Sequence, residues 1–476
     1  MVIKRISRNI MVLGSAEIIS KIFLFILMVY AARLLGVVSF GKFTFALAFS
    51  MLTIILSDLG INTLLIREIS RKKYLANKYF INAFIGKLFL SAITFIMVIL
   101  FLNILNYPDD TKMVVYVIWF FTTLSSFTDL LYSIFRAFER MVYDAFLKIL
   151  RMSLLTVIGL YVLFQGYGLF IFSLVFILVE AIVFLAALLI GTTKFIKIEL
   201  KAVNISFIKN LVKRAFPFGL AIIFGSIYFY IDSIMLSKMK GPEEVAVYSV
   251  AYNLVLALLF IPAVYINAVY PVFSRYFKIS KQKLIFMHKK SFKYLYIIGI
   301  PISFGLFLLS KEIINFFYGK QYLDSIIALQ IISWFVFLKF LNFLNGITLF
   351  AIDKQKKRML SQGSTALFNI ILNLILIPRL GFIGAAISTL ITEIFLFILY
   401  YIFVSRFFYR LNFIPILIKP LIASTAMAAF LLFTDINLFI SIAIASIIYL
   451  TVLVLIKAFE KDDLKIMWAI IKNEKI

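Results

Sequence analysis

Apolar runs of about twenty residues recur along the chain at short intervals, each bounded by a few polar or charged positions. A helix rises about 1.5 Å per residue, so one such run crosses a hydrocarbon core roughly 30 Å thick. Read in order, the runs predict about fourteen membrane-spanning helices. They lie near 10–34, 40–65, 80–104, 113–136, 143–164, 167–190, 214–237, 245–272, 292–310, 325–350, 361–378, 382–404, 414–433 and 437–457.

The connections alternate in character. One set is basic: Lys4, Arg5 and Arg8; Arg67, Arg71, Lys72, Lys73 and Lys78; then Arg136, Arg140, Lys148 and Arg151. It continues through the stretches 194–214 and 275–293, the run DKQKKR at 353–358, Arg406, Arg410, Lys419 and a basic C-terminus. The other set is short and nearly neutral: LNYPDDTK, QGYG, KMKGPEE, YGKQYLD, PRLG and TDIN. This is the positive-inside pattern, which puts the basic set and both termini in the cytoplasm and makes the number of spans even. The first run is long and holds Glu17 and Lys21, so it reads as a retained span rather than a cleaved signal. The expected location is the cell membrane, multi-pass.

Composition agrees: 64% of the 476 residues are hydrophobic and 15% charged, against about 45–50% and about 25% in soluble domains. The fold class expected is all-α integral membrane, with no room for a large soluble domain. A net charge of +26 is explained by topology, so no nucleic-acid partner is expected. There is no cysteine, and the one histidine, His288, stands among lysines. Metal sites, thiol chemistry and histidine-based catalysis are therefore not expected, nor is a cofactor.

The chain repeats itself. GLFIFSLVFILVE, ending at Glu180, matches GFIGAAISTLITE, ending at Glu393, 213 positions later. GVVSFGKFTFALAFS from Gly36 matches GPEEVAVYSVAYNLV from Gly241. Spans 1–6 and 7–12 thus read as duplicated lobes, with spans 13–14 appended. The expected domains are 1–205, 206–405 and 406–476. Six is even, so the repeat is parallel, related by a pseudo-two-fold axis along the membrane normal, and a central cavity between the lobes is the expected binding place. The linker 194–213, mixing lysines with Ile, Phe and Leu, is expected to lie as an amphipathic helix on the cytoplasmic interface.

The segments ARLLGVVSFGKFTFA, SDLGINTLLIREIS, FYIDSIMLSKMKGPEEVAVYSVAYNLV and LNLILIPRLGFIGAAISTLITE resemble those of oligosaccharide and polysaccharide flippases. That family shares a superfamily with MATE-type drug exporters and lipid II flippases. The resemblance covers the chain from about Ile10 to about Val404. It implies two six-helix lobes around a cavity that alternates between inward- and outward-open states. It also implies a cargo, an isoprenoid-linked (phospho- or diphospho-) oligosaccharide moved to the outer leaflet.

Ionisable residues inside spans cost roughly 2.5–3.5 kcal/mol each on insertion scales, which makes them functional candidates. Lys21, Lys87 and Lys339 could meet phosphate; Asn62, Asn253, Asn345 and Thr348 could meet sugars. Glu17, Asp58, Asp232, Glu180 and Glu393 are candidates for coupling to a proton or sodium ion, or for gating. Helix-to-helix hydrogen bonding is the alternative for each carboxylate, and mutual neutralisation the alternative for Glu17 and Lys21, one turn apart. Asp58, followed by Gly60, Arg67 and Glu68, suggests a gate-like cluster, with Asp129 at similar depth in the fourth span. Asp232 matches an acidic position the resembled family often carries. Pro262 is the candidate hinge.

The leading function is a non-enzymatic flippase of lipid-linked oligosaccharide, with membrane lipids as its surroundings. The alternative is a cation-coupled exporter of small amphiphiles, and a more distant one is a membrane glycosyltransferase or polymerase. The short connections leave no space for such an enzyme's catalytic loop.

Overall fold

The computed structural model describes residues 2–434 and 436–459, with side chains from residue 13 onward except at 221. The side chains of Lys4, Arg5 and Arg8 and the end of the basic tail lie outside the described residues. Within them the secondary structure is helical, without strands. The first lobe-length stretch holds α1 (Val2–Leu35), α2 (Val37–Asp58), α3 (Ile61–Arg71), α4 (Ala76–Ile104), α5 (Asp109–Ala137), α6 (Met141–Phe164) and α7 (Gly168–Lys194). Next come α8 (Ile205–Lys240), α9 (Pro242–Leu258), α10 (Phe260–Ile279), α11 (Lys281–Leu308), α12 (Ser310–Tyr318) and α13 (Ser325–Ala351). The chain continues with α14 (Gln355–Phe407), α15 (Ile414–Phe433) and α16 (Leu438–Leu455).

Thirteen helical segments among the described residues are long and apolar enough to cross a membrane. One of them, α14, has 53 residues, about 80 Å of helix and more than twice a bilayer core. It breaks at Gly381, whose backbone (φ 57°, ψ −134°) is not helical, and Phe382 N donates to Glu244 Oε2 at 2.6 Å beside the break. Counting its halves separately gives the fourteen spans that the apolar runs predict.

Single glycines make several of the turns. Gly36 joins α1 to α2 with φ 78° and ψ 166°, and Gly241 joins α8 to α9 with φ 97° and ψ 179°. That region of backbone space is open essentially to glycine alone. The two glycines head the segments matched in the sequence repeat, so the duplicated pattern has a duplicated turn. Near these turns, α2 meets the start of α9 through backbone: a Cβ on Gly41 would sit 1.8 Å from the Pro242 carbonyl oxygen.

Span 8 is in two pieces. Pro262 has no N–H for the Leu258 carbonyl four residues earlier, and α9 accordingly ends at Leu258 and α10 begins at Phe260. The 194–213 linker differs from the single interfacial helix expected. Beyond Lys194 it runs without regular structure save one short 3-10 turn until Asn204, and from Ile205 it is the first part of α8. Asparagine side chains account for this by satisfying backbone that a helix would satisfy internally. Lys197 N donates to Asn77 Oδ1 at 3.0 Å, Asn204 N to Asn82 Oδ1 at 2.7 Å, and Asn82 Nδ2 to the Ala202 carbonyl at 2.9 Å.

The chain packs as two compact units. The first comprises Met1–Asn253 with Gln362–Ala385; the second comprises Leu254–Ser361 with Ala386–Ile476. In the first, α1 lies on α6, α5 on α7 and α2, and α8 on α2 and α3. In the second, α11 lies on α13 and α15, and α15 on α16. The first unit thus holds span 7 and the segment 362–385 together with the first six spans.

Gly41→Val would drive two methyl groups into the Pro242 backbone. We expect loss of monodisperse protein on size-exclusion chromatography in detergent, whereas Gly14→Val, with open space around it, should purify normally.

Candidate functional site

A charge withdrawn into a span is tolerable only if partners on neighbouring helices replace water. In the first unit such partners form a chain across α1, α5, α6 and α7. Arg136 Nε donates to Asp144 Oδ2 at 2.6 Å. Asp144, fully buried, also faces Lys148 at 3.5 Å, and Lys148 reaches Glu17 at 3.6 Å. One turn deeper, Arg151 contacts Ser125 Oγ at 3.0 Å and Glu180 at 3.4 Å, and Thr128 donates to Glu180 at 2.7 Å. Asp129 is exposed on α5, within electrostatic reach of Arg151, Lys87, Arg136 and Lys148. The cations are not sealed: the side chains of Arg136, Lys148 and Arg151 remain 33%, 19% and 16% exposed.

Lys87 belongs to a separate cluster. Its ammonium, fully buried, donates to Asp58 Oδ1 at 2.8 Å, to Asn62 Oδ1 at 3.3 Å and to the Ser126 carbonyl at 2.7 Å. In the second unit Lys339 lies 3.2 Å from Glu393, and Asn342 Nδ2 donates to the same carboxylate at 2.7 Å. Both Lys339 and Glu393 are buried. Glu180 and Glu393 are thus equivalent in surroundings as well as in sequence. Each takes a hydrogen bond from the preceding even-numbered span, from Thr128 or Asn342, and each faces a cation. The cation's origin differs. Three residues before Asn342 stands Lys339; three residues before Thr128 stands Ser125, and Arg151 on α6 supplies the charge instead.

The remaining candidates are dispersed. Asp232, buried, accepts from Tyr248 Oη at 2.9 Å and from Asn373 Nδ2 at 2.5 Å. Asn373 also reaches Asn369 Oδ1 at 3.2 Å, and its own Oδ1 has no hydrogen-bond partner among the described residues. Asn345 and Thr348 are buried on α13, whereas Lys21, Asn62 and Asn253 are half-buried and Glu17 is exposed. Lys21 makes no ion pair with Glu17 among the described residues; Lys148 takes that carboxylate. Arg136, Lys148 and Arg151, read from sequence as topological charges of a connection, stand on helices, Arg136 in the last turn of α5 and the other two in α6. A signal was present: Asp144, Lys148 and Arg151, at i, i+4 and i+7, share one helix face.

Likenesses to known families, curated proteins and a solved structure bear on function. The family model described as "Polysaccharide biosynthesis protein" matches residues 6–277, and the MatE model matches 217–375. Among curated proteins, capsular polysaccharide biosynthesis protein CapF of Staphylococcus aureus is 25% identical over 83% of this chain and 98% of its own. Uncharacterized membrane protein MJ1068 of Methanocaldococcus jannaschii is 32% identical over 39% of this chain, which spans 38% of that relative's length. Among solved structures, the lipid II flippase MurJ in an inward closed conformation superposes with a TM-score of 0.76 at 19% identity, over 93% of this chain and 98% of that one. The fold is the one that structure has.

The exchanged cation makes a prediction. Arg151→Thr leaves Glu180 facing no cation from α6, and removing one partner of a buried pair costs on the order of 3–5 kcal/mol. A second change, Ser125→Lys, recreates in the first repeat the arrangement of the second. Thermal unfolding in detergent should show the single variant well below wild type and the double variant recovering most of the loss.

Proposed function

Because the chain belongs to the polysaccharide biosynthesis protein family, whose model matches more than half of it, we propose that it is a flippase for lipid-linked oligosaccharide. It carries a polyprenyl phosphate- or diphosphate-linked glycan from the cytoplasmic to the outer leaflet by alternating access, for cell-surface glycan assembly. The observation that carries this reading is the partly exposed cation chain of Arg136, Lys148 and Arg151 in the first unit. Guanidinium groups match phosphate oxygens bidentately, and here they are held between helices in pairs with carboxylates. An arriving diphosphate takes over those hydrogen bonds, so the cations never stand bare in a low-dielectric setting. Half-buried Lys21, Asn62 and Asn253 extend the polar surface available to headgroup and sugars. The membrane potential favours the direction, since moving an anion outward gains about 2.3 kcal/mol per charge per 100 mV.

The coupling ion, a proton or sodium, is assigned to the buried oxygens of Asp232, Asn369 and Asn373. Hard oxygen donors suit a hard cation, and a buried carboxylate suits a proton equally well. Glu180 and Glu393 are structural in this reading, since each is held by a cation and a donor of its own unit.

Vesicles holding the purified protein and a labelled polyprenyl-diphosphate glycan test the proposal. Wild type should equilibrate the label between leaflets, and Arg136→Gln with Lys148→Gln and Asp144→Asn, which removes the cations without stranding the buried carboxylate, should slow it tenfold or more while the protein stays folded. Label that stays on its starting leaflet while a small cationic dye is exported supports the exporter reading instead. In the same vesicles, Asp232→Asn should remove the dependence of flipping on an imposed proton or sodium gradient.

A further inference from the structure

The second span contains an elbow, and the groups around it fit together as one device. Between α2 and α3 the chain turns through Leu59 (φ 44°) and Gly60 (φ 81°). A leucine held left-handed costs roughly 1–2 kcal/mol and persists only where neighbours impose it. The neighbours here are specific. Gly60 N donates to Asp58 Oδ2 at 3.2 Å, and the other oxygen of Asp58 is held by Lys87 at 2.8 Å. Lys87 also spans to Asn62, on the far side of the elbow, and to the Ser126 carbonyl on α5. Three acceptors use up the three protons of an ammonium, which leaves none for a phosphate.

The elbow presses on α8 with nothing between the two backbones. A Cβ on Gly60 would lie 2.7 Å from Gly219 N, and one on Gly219 would lie 2.7 Å from the Leu59 carbonyl carbon. Around this contact the interactions are of a different kind. Arg214 on α8 bonds Glu68 on α3 at 2.8 Å, and the Arg67 guanidinium sits 5.4 Å from the Phe218 ring centroid. Pro217, two residues before Gly219, interrupts the hydrogen bonding of α8 at the same level. Arg214 is 43% exposed, so its ion pair is of the weak, water-competing sort. Burial alone would raise the Glu68 carboxyl, but hydrogen bonds from Arg67 and Arg214 outweigh it and hold the pKa below its ordinary 4.5. The clasp is therefore complete at neutral pH and is lost only as pH falls through that lowered value.

We infer that Lys87 is a positioning residue that sets the Leu59–Gly60 elbow as a latch, closed on Gly219 and clasped at its rim by Glu68 and Arg214. Parting α3 from α8 breaks the exposed clasp, the contact of Arg67 with the Phe218 ring and the backbone contact at Gly219, none of them a buried ion pair. The buried pair of Lys87 and Asp58 stays together on the α2–α4 side, so opening strands no charge. The device rests on the alternating-access reading, because only a transporter that opens and closes needs a seam that can part cheaply.

The absence of cysteine from the chain allows a direct test. Glu68→Cys with Arg214→Cys, bridged by a reducible bifunctional methanethiosulfonate, should stop flipping, and reduction should restore it. Unchanged flipping by fully bridged protein overturns the latch. A second readout needs no cargo: Ala215→Cys, buried in the seam, should react with maleimide at least fivefold faster when combined with Glu68→Gln and Arg214→Gln. Faster labelling in a protein that moves no glycan keeps the latch and rejects the cargo; equal labelling rejects the latch. Lys87→Met should speed the same labelling and lower the maximal flipping rate at unchanged apparent KM. A raised KM with unchanged labelling makes Lys87 a cargo ligand and overturns the inference. Should Lys87→Met fail to fold, the bridging and Ala215 measurements, which keep Lys87, decide the matter.

Discussion

A charge buried inside these spans needs partners from other helices, and that requirement organises the bundle. An uncompensated carboxylate in hydrocarbon costs several kcal/mol, comparable with the whole stability margin of many domains. Glu180 and Glu393 meet the requirement with a cation and a hydrogen-bond donor apiece, drawn from the same unit. Each pair ties the last span of a repeat to the spans before it. What the two repeats retain is the neutralised carboxylate, while the helix that supplies the cation has changed.

The same rule separates two classes of ion pair by burial. Pairs whose cation is buried, such as Lys87 with Asp58 or Lys339 with Glu393, are strongly penalised when split, so they mark helices that stay together. Pairs at a wet rim, such as Arg214 with Glu68, can break and re-form at little cost. The network of Arg136, Lys148 and Arg151 lies between these extremes. It is buried enough to need carboxylates and open enough for a ligand's oxygens to replace them.

Much of the architecture was legible in the sequence because it is local. Apolar run lengths located the spans, including the two joined within α14 at Gly381, and matched glycine-led segments located Gly36 and Gly241 as equivalent turns. Partners across helices were not legible. Lys87 and Lys339 have no partner within their own spans, since Asp58 and Glu393 lie on other spans, and hydropathy carries no record of which helices touch. Arg136, Lys148 and Arg151 were absorbed into a topology argument that counts basic residues near span ends without asking which way they point. The linker 194–213 was misread as one helix because composition cannot show that Asn77 and Asn82, more than a hundred residues earlier, satisfy its backbone. The closeness of Gly60 to Gly219 is likewise invisible to any reading of one segment at a time.

The one-residue turns at Gly36, Gly241 and Gly381 bear on how the chain enters the membrane in the first place. Each joins two helices through a single residue of non-helical backbone. Such a helical hairpin can be inserted as a pair, its tip the only part that must pass through the hydrocarbon. A tip made of one glycine exposes few unsatisfied backbone groups on the way, although Lys240 and Glu243 beside Gly241 and Arg379 beside Gly381 travel with it. The stretches that join successive hairpins carry most of the charge. Insertion two helices at a time therefore moves the fewest charges across the hydrocarbon when those stretches stay on the side where they are made.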